Sequence, residues 1–190
     1  MEMVRSALLY AALLVGANLV CPNSAAAADP AALEALKTGA MKALAVHAEP
    51  KPAGEAGFTD PDGGAHALAD WRGKVVLLNF WAVSCVPCRE EMPSLNTLEK
   101  EMGGDDFAVV PVAFGYNHPG GLARFIDKYR IDALPVLLDP DRALSAQMAV
   151  VAPPVTVILD RDGREVARLI GAADWASDEA KAVLQAVIDG

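Results

Sequence analysis

Residues 75–93 read VVLLNFWAVSCVPCREEMP. The first seven of them, Val75–Trp81, are almost all apolar, β-branched or aromatic, which is typical of a short strand buried on both faces. Leu95, Leu98 and Met102 then recur at helical spacing. The pattern predicts a buried strand that leads directly into a helix.

Two cysteines, Cys85 and Cys88, fall at the joint between this strand and this helix. Pro87 lies between them and suits the first turn of a helix. The free backbone N–H groups and the positive end of the helix dipole favour a thiolate over a thiol at this place. Two thiols at this spacing can close a disulfide across one helical turn and reopen it, so the pattern indicates redox chemistry.

A C-x-x-C pair alone is also compatible with half of a zinc site or with a purely structural disulfide. A tetrahedral zinc site needs two further Cys or His ligands at suitable spacing. The other candidates are scattered singly: Cys21, His47, His66 and His118. We therefore expect neither a bound metal nor a cofactor, and the strand–CxxC–helix context favours a redox-active dithiol.

Length and charge limit the possible partners. The chain has 190 residues, 53% of them hydrophobic, which suits one domain with a substantial core and an N-terminal extension. Its formal net charge is −9. Such a surface repels phosphate backbones, so we expect no nucleic acid partner.

Residues 1–28 have the features of a secretory signal peptide or a membrane anchor. Arg5 supplies a positive charge, Ala7–Val20 is uncharged and mostly apolar, and an Ala-rich segment with A-x-A sites follows. Cleavage is expected after Ala27 or Ala28. The apolar stretch is shorter than the roughly 20 residues of a membrane-spanning helix, yet an uncleaved tether through these residues stays open as the alternative. Both predict a periplasmic or other extracytoplasmic location, with or without anchorage in the inner membrane.

The segment before the central strand predicts smaller elements. An Ala-rich stretch from Ala31 to about Val46 favours a helix, and Glu49–Gly57 is rich in Pro, Gly and Ala, as linkers are. Phe58 opens a small predicted hairpin. We therefore divide the chain into a signal or anchor (1–28), an N-terminal helix and linker (29–57) and the main domain (58–190).

The segment after the cysteines alternates strand and helix patterns. Strands are predicted at Phe107–Phe114, Val136–Leu138, Val155–Leu159 and Glu165–Ile170, and helices at Pro119–Tyr129, Arg142–Met148 and Ala176–Ile188. This order describes an α/β domain with a mixed central sheet flanked by helices.

The motifs resemble the TlpA-like branch of the thioredoxin family, the extracytoplasmic thiol:disulfide interchange proteins. The resemblance lies in FWA at 80–82, CVPC at 85–88 and REEMP at 89–93, and Phe58–Lys74 and Val155–Ser177 are similar as well. It implies a thioredoxin fold and a protein that exchanges or reduces disulfides in client proteins and is re-reduced by a membrane or periplasmic thiol donor. In several relatives the clients belong to cytochrome or copper-centre assembly.

The resemblance also implies roles for individual side chains. Cys85 matches the exposed attacking cysteine and Cys88 the resolving cysteine that closes the Cys85–Cys88 disulfide. Glu91 matches an acidic residue that several relatives use to handle protons, and Asn79 takes the place of the buried aspartate of thioredoxin but cannot titrate. The alternative is that Glu90 and Glu91 only complement the positive end of the helix.

Substrate binding is expected around the cysteines. Pro154 matches the cis-proline that faces the disulfide in this fold, although Pro153-Pro154 alone also fits a rigid turn. Pro153 departs from the family, whose members usually carry a residue with an N–H there. Ser84 departs as well, since relatives commonly have Trp. The expected substrate-binding residues are Trp81, Ser84, Val86, Pro87, Pro153 and Pro154.

Two other functional classes stay open. A non-enzymatic copper-binding metallochaperone could use the two thiolates, because soft thiolates suit Cu(I). A thioredoxin-fold protein that only docks partners would lack disulfide exchange altogether. The favoured interpretation is an oxidoreductase that reduces client disulfides, with the direction taken from the resemblance because spacing does not set a reduction potential.

Overall fold

The computed structural model describes residues 28–190. The predicted signal or anchor therefore lies outside the described residues, apart from Ala28. Between residues 28 and 190, no helix combines the length and the apolar character that crossing a bilayer requires.

Helices and strands alternate along the described chain. The helices are α1 (Pro30–Leu36), α2 (Val86–Met102), α3 (Pro119–Tyr129), α4 (Ala143–Gln147) and α5 (Asp178–Asp189). The strands are β1 (Ala45–Pro52), β2 (Phe58–Thr59), β3 (Ala65–His66), β4 (Val75–Trp81), β5 (Phe107–Phe114), β6 (Leu137–Asp139), β7 (Val155–Leu159) and β8 (Arg164–Ile170). From β4 onward, every predicted element is present with its ends within two residues of the prediction.

The strands form one mixed sheet in the order β1-β8-β7-β4-β5-β6-β2-β3. β4 pairs in parallel with β5, and β5 in parallel with β6. The remaining neighbours, including β4 with β7 and β7 with β8, are antiparallel. The mixed sheet with flanking helices is the thioredoxin-like α/β fold that was predicted.

β4 lies in the interior of the sheet, and all seven of its residues are buried. Its side chains alternate between two cores. Val75, Leu77 and Trp81 pack into one core, and Val76, Leu78 and Phe80 pack into the other. Each fully buried Val, Leu or Phe contributes about 1.5–3 kcal/mol, so the strand that ends at the cysteines is held firmly from both sides.

Helices cover the two faces unequally. The face with Leu77 is covered by α1, α2, α3 and α5, whose buried apolar side chains all join its core. The opposite face is covered by α4 together with Phe58 and Leu68. α2 contributes Cys88, Met92, Leu95 and Leu98 to the larger core, so the start of the helix is held against that core.

The N-terminal segment differs from the prediction. The helix expected from Ala31 to about Val46 is wrong in extent, because α1 ends at Leu36. The following Ala45–Pro52 forms β1, so the predicted linker Glu49–Gly57 begins as a strand. β1 pairs antiparallel with β8 at one edge of the sheet, where prolines within a strand are tolerated. The domain boundary at residue 57 stays a prediction.

A buried ionic cluster fastens β1 to β8. Glu165 is 2% exposed; its Oε1 lies 2.6 Å from His47 Nε2 and accepts a hydrogen bond from Arg168 Nε at 2.6 Å. Arg168 also donates to the Met148 carbonyl oxygen at 3.2 Å. Burial alone would raise the pKa of Glu165, but the hydrogen bonds from Arg168 and His47 outweigh burial and hold that pKa below its ordinary value. The carboxylate therefore stays charged and paired at neutral pH.

Candidate active site

Cys85 caps the N-terminus of α2. Its backbone is extended (φ −83°, ψ 111°), and its Sγ accepts a hydrogen bond from the Cys88 N–H at 3.2 Å. Pro87 occupies the first turn, where a missing N–H leaves no hydrogen bond unmade. The sulfur of Cys85 thus lies against the free amides of a 17-residue helix, the environment that stabilises a thiolate.

Cys85 and Cys88 form a disulfide, with the sulfurs 2.02 Å and the Cα atoms 5.3 Å apart. The two cysteines differ in exposure. Cys88 is completely buried in the larger core, whereas Cys85 is half-buried at its margin. A partner in solution therefore reaches this pair through Cys85.

The Pro153-Pro154 pair lies directly against the disulfide. Its peptide bond is cis, and the Pro153 carbonyl oxygen lies 3.6 Å from Cys85 Sγ. Pro154 is buried and immediately precedes β7. Cys85 and Pro153 are 68 residues apart in the sequence. The cysteine pair and the proline pair nevertheless meet at one end of the neighbouring strands β4 and β7.

The surface around Cys85 is formed by small and apolar side chains. Ser84, Val86 and Pro87 are exposed, with Val86 at 52%. Trp81 is only 4% exposed, and its ring packs against Phe125 with the centroids 5.4 Å apart. The Trp81 side chain lies in the core between β4 and α3 and not on the surface that carries Cys85.

Glu91 lies one turn after Cys88 on α2 and is 3% exposed. Its Oε1 accepts a hydrogen bond from Asn79 Nδ2 at 2.9 Å, and its Oε2 accepts one from the Ala173 N–H at 3.1 Å. Burial raises the pKa of Glu91 to about 7, and the hydrogen bonds from Asn79 and Ala173 oppose part of that rise. A carboxyl group with this pKa gains and loses a proton near neutral pH.

Glu91 also has a route to solvent. An open cavity of about 550 Å³ reaches its side chain between the start of α2 and the loop before α5, and Glu90, Ser94 and Asp174 lie on its wall. A proton held by Glu91 can therefore exchange with water without unfolding of the core.

Asn117 is a site residue that the sequence did not reveal. Its Oδ1 accepts a hydrogen bond from the Val83 N–H at 2.8 Å. Its Nδ2 donates to the carbonyl oxygens of Phe114 and Gly115 at 3.2 and 3.1 Å. One side chain thus joins the loop before Cys85 to the loop after β5. An asparagine in a loop predicts a turn but gives no sign of which distant amide it binds.

The three histidines lie in separate places. His47 contacts Glu165, His66 lies 3.5 Å from Asp60, and His118 is at the N-cap position of α3. Among residues 28–190, no group of three or more His, Cys, Asp or Glu side chains is arranged to hold a metal ion.

Comparisons with known proteins agree with this geometry. The Redoxin family model matches residues 42–184. YneN, a thioredoxin-like protein of Bacillus subtilis, is 41% identical over 99 residues, which cover 51% of this chain and 56% of that protein. ResA, a thiol-disulfide oxidoreductase of Bacillus thuringiensis, is 32% identical over 116 residues, which cover 60% and 64% of the two chains. The chain thus matches less than two thirds of the length of either relative.

A solved structure shows the same fold. Etrx1, the exposed lipoprotein thioredoxin of Streptococcus pneumoniae, superposes with a TM-score of 0.57 at 28% identity, over 70% of this chain and 97% of that one. The Redoxin match covers β1 through most of α5 and includes the cysteine pair, the two prolines and Glu91. The chain belongs to the Redoxin family.

Proposed function

We propose that this protein is an extracytoplasmic thiol:disulfide oxidoreductase that reduces disulfides in client proteins. One observation carries the proposal: the Cys85–Cys88 disulfide lies at the start of α2, with Cys85 accessible and Cys88 buried behind it. ResA is named a thiol-disulfide oxidoreductase, and the same cysteine chemistry is proposed here.

The reaction begins from the dithiol. The Cys85 thiolate attacks one sulfur of a client disulfide, a mixed disulfide forms, and the first client thiolate leaves. The Cys88 thiolate then attacks Cys85 Sγ and releases the second client thiolate. The client gains two electrons, and this protein is left with the Cys85–Cys88 disulfide. An upstream thiol donor must reduce that disulfide before the next cycle.

Cys88 must lose a proton before it can attack, and its burial disfavours the free thiolate. We assign the role of proton acceptor to Glu91, which follows Cys88 by three positions on the same face of α2. Its pKa of about 7 lets it accept a proton at neutral pH. The open cavity beside Glu91 then returns that proton to solvent.

Client binding is assigned to the surface around Cys85: Ser84, Val86, Pro87, Pro153 and Pro154. The carbonyl of Pro153 lies beside the sulfur, but the residue has no N–H to pair with a client backbone. Contacts on the client side therefore depend more on side chains such as Val86, which is half exposed. The clients are proteins with cysteine pairs, including those of cytochrome or copper-centre assembly.

The proposed location rests on the N-terminal pattern, with a leader or tether around residues 7–20. Etrx1 is described as an exposed lipoprotein, which fits a branch that works outside the cytoplasm. Fusion of residues 1–28 to an alkaline phosphatase that is active only after export tests the location. Phosphatase activity is expected, and an inactive cytoplasmic fusion would contradict it.

The function is tested by reduction of insulin disulfides in the presence of a thiol reductant. The wild-type protein should accelerate reduction, and Cys85→Ser should abolish the acceleration because Cys88 is buried and the accessible sulfur of the pair is lost. Cys88→Ser should stall after forming a mixed disulfide. Unchanged turnover by Cys85→Ser would overturn the proposal.

A further inference from the structure

The proposed proton transfer raises a question about the residue that faces Glu91 from the sheet. We propose that Asn79 is a positioning residue that hydrogen-bonds to Glu91 in both of its protonation states, as a donor to the carboxylate and as an acceptor from the acid. The importance of this inference for the reaction rests on the proposed function, in which Glu91 exchanges the Cys88 proton.

Asn79 lies in β4 directly opposite Thr156 of β7 and is completely buried. Its Nδ2 donates to Glu91 Oε1 and to Thr156 Oγ1, both at 2.9 Å. Its Oδ1 is buried and has no hydrogen-bond partner among the described residues. The Nδ2 end of the amide thus makes two hydrogen bonds, while the Oδ1 end makes none to the described residues.

An unpaired buried acceptor is unfavourable, so the observed orientation requires a compensating gain. That gain is the hydrogen bond from Nδ2 to an ionised carboxylate, because charge-assisted hydrogen bonds are among the stronger ones. The observed orientation of Asn79 therefore belongs to the ionised form of Glu91.

Protonation of Glu91 adds an O–H donor to the carboxyl group, and a proton on Oε1, the oxygen that faces Asn79, requires an acceptor at that place. A half-turn of the Asn79 amide brings Oδ1 to face Glu91. Thr156 permits this rotation, since its hydroxyl can donate as readily as it accepts. Asn79 can therefore keep a hydrogen bond to Glu91 in both forms without a backbone movement. The Asn79 amide changes from donor to acceptor in this way without taking up a proton itself.

The other groups around Glu91 do not change between donor and acceptor in this way. Ala173 contributes a backbone N–H, which can only donate. Cys88 lies one turn back on α2 and is held in the disulfide. Glu90 and Asp174 lie on the wall of the open cavity, where water can come between them and Glu91. Water comes between Glu91 and the buried Asn79 less easily.

The test is an NMR titration of the ¹³C,¹⁵N-labelled protein in its disulfide form, in which neither cysteine titrates. The Glu91 carboxyl carbon and the Asn79 side-chain amide should change with one common midpoint near pH 7. An Asn79 amide signal that stays constant while Glu91 titrates would overturn the inference. This measurement needs no substitution, so it decides the question even if variants of Asn79 do not fold.

Substitutions provide the second measurement. Asn79→Leu removes the donor and should raise the pKa of Glu91 from about 7 to about 8 or above. Thr156→Val is the matched control, because it removes the neighbouring hydroxyl but leaves the hydrogen bond between Asn79 and Glu91. A Glu91 pKa that does not rise in Asn79→Leu would contradict the inference.

These results are separable from the proposed function. If Asn79 follows the Glu91 titration but Glu91→Gln leaves the pH dependence of insulin reduction unchanged, the role of Glu91 in proton transfer fails while the Asn79 inference stands. If Glu91→Gln changes that profile but Asn79 does not respond to pH, the inference fails and the proposed function stands.

Discussion

The chemistry at the site depends on how differently three neighbouring side chains of α2 and its cap are buried. Cys85 is accessible, while Cys88 and Glu91 are almost fully enclosed. The first residue is therefore accessible to a client, and the proton exchange that we propose would take place between the other two. Each follows the one before it by three positions, so the three side chains lie on the same face of the helix.

The buried carboxyl group makes stability depend on pH. The pKa of Glu91 rises from an ordinary 4.5 to about 7 in the folded protein. Between those values the folded chain holds a proton that the unfolded chain has lost, so the free energy of unfolding falls as the pH rises through about 7. For the disulfide form, raising the pH from 4.5 to 8 should lower the free energy of unfolding of the wild type by about 3 kcal/mol more than that of Glu91→Gln.

Chemical denaturation at several pH values measures this difference. Glu90→Gln is the control, because Glu90 is exposed on the cavity wall, and it should retain the pH dependence of the wild type. Parallel pH profiles for wild type and Glu91→Gln would show that Glu91 does not carry a raised pKa.

At the scale of elements, the active-site loop is held by a side chain from another loop. Asn117 joins Val83 to the end of β5 by three hydrogen bonds. Cys85 follows Val83 by two positions, so this connection fixes where the helix cap begins. The position of this cap matters because disulfide exchange requires an in-line approach of the reacting sulfurs.

Replacement of Asn117 by Ala should cost about 1–3 kcal/mol of stability and slow insulin reduction by about tenfold through misplacement of Cys85. Asn96→Ala is the matched control. Asn96 also makes several hydrogen bonds, to Asp132 and Ala133 among others, at the other end of α2. It should lower stability similarly without slowing exchange; equal rate losses in both variants would contradict a positioning role for Asn117.

A second element-scale prediction concerns the attachment of β1. Arg168→Met leaves Glu165 buried without its guanidinium partner and should cost about 3–5 kcal/mol. Hydrogen exchange should increase most in Ala45–Pro52, the strand that this cluster fastens. Lys100→Met, which breaks the exposed pair with Asp132, is the control and should leave exchange in β1 unchanged. Uniform loss of protection across the sheet would argue against a local role.

At the scale of the whole molecule, local sequence patterns predicted most of the fold. In its central part, the pattern of each segment agrees with the element that the segment forms. The apolar run of β4 and the proline in the first turn of α2 each carry their own signal. The resemblance to TlpA-like proteins predicted that Pro154 faces the disulfide, and in the structure the carbonyl oxygen of the preceding Pro153 lies 3.6 Å from Cys85 Sγ.

The parts that the sequence did not reveal are those set by distant partners. β1 carries Pro, Lys and Glu and gains its strand conformation from pairing with β8. Trp81, expected among the substrate-binding residues, follows the alternation of β4 into the core. Asn117 and the orientation of Asn79 depend on contacts 34 and 77 residues away, which no local pattern encodes.

The most direct test of the central claim is to trap the reaction intermediate. Reduced Cys88→Ser protein is mixed with excess insulin, quenched in acid and mapped by mass spectrometry. Attack by Cys85 predicts a one-to-one mixed disulfide on Cys85, with little adduct on Cys88 in the matched Cys85→Ser protein, because Cys88 is buried. Absence of the adduct, or equal adduct formation by the two variants, would contradict the account.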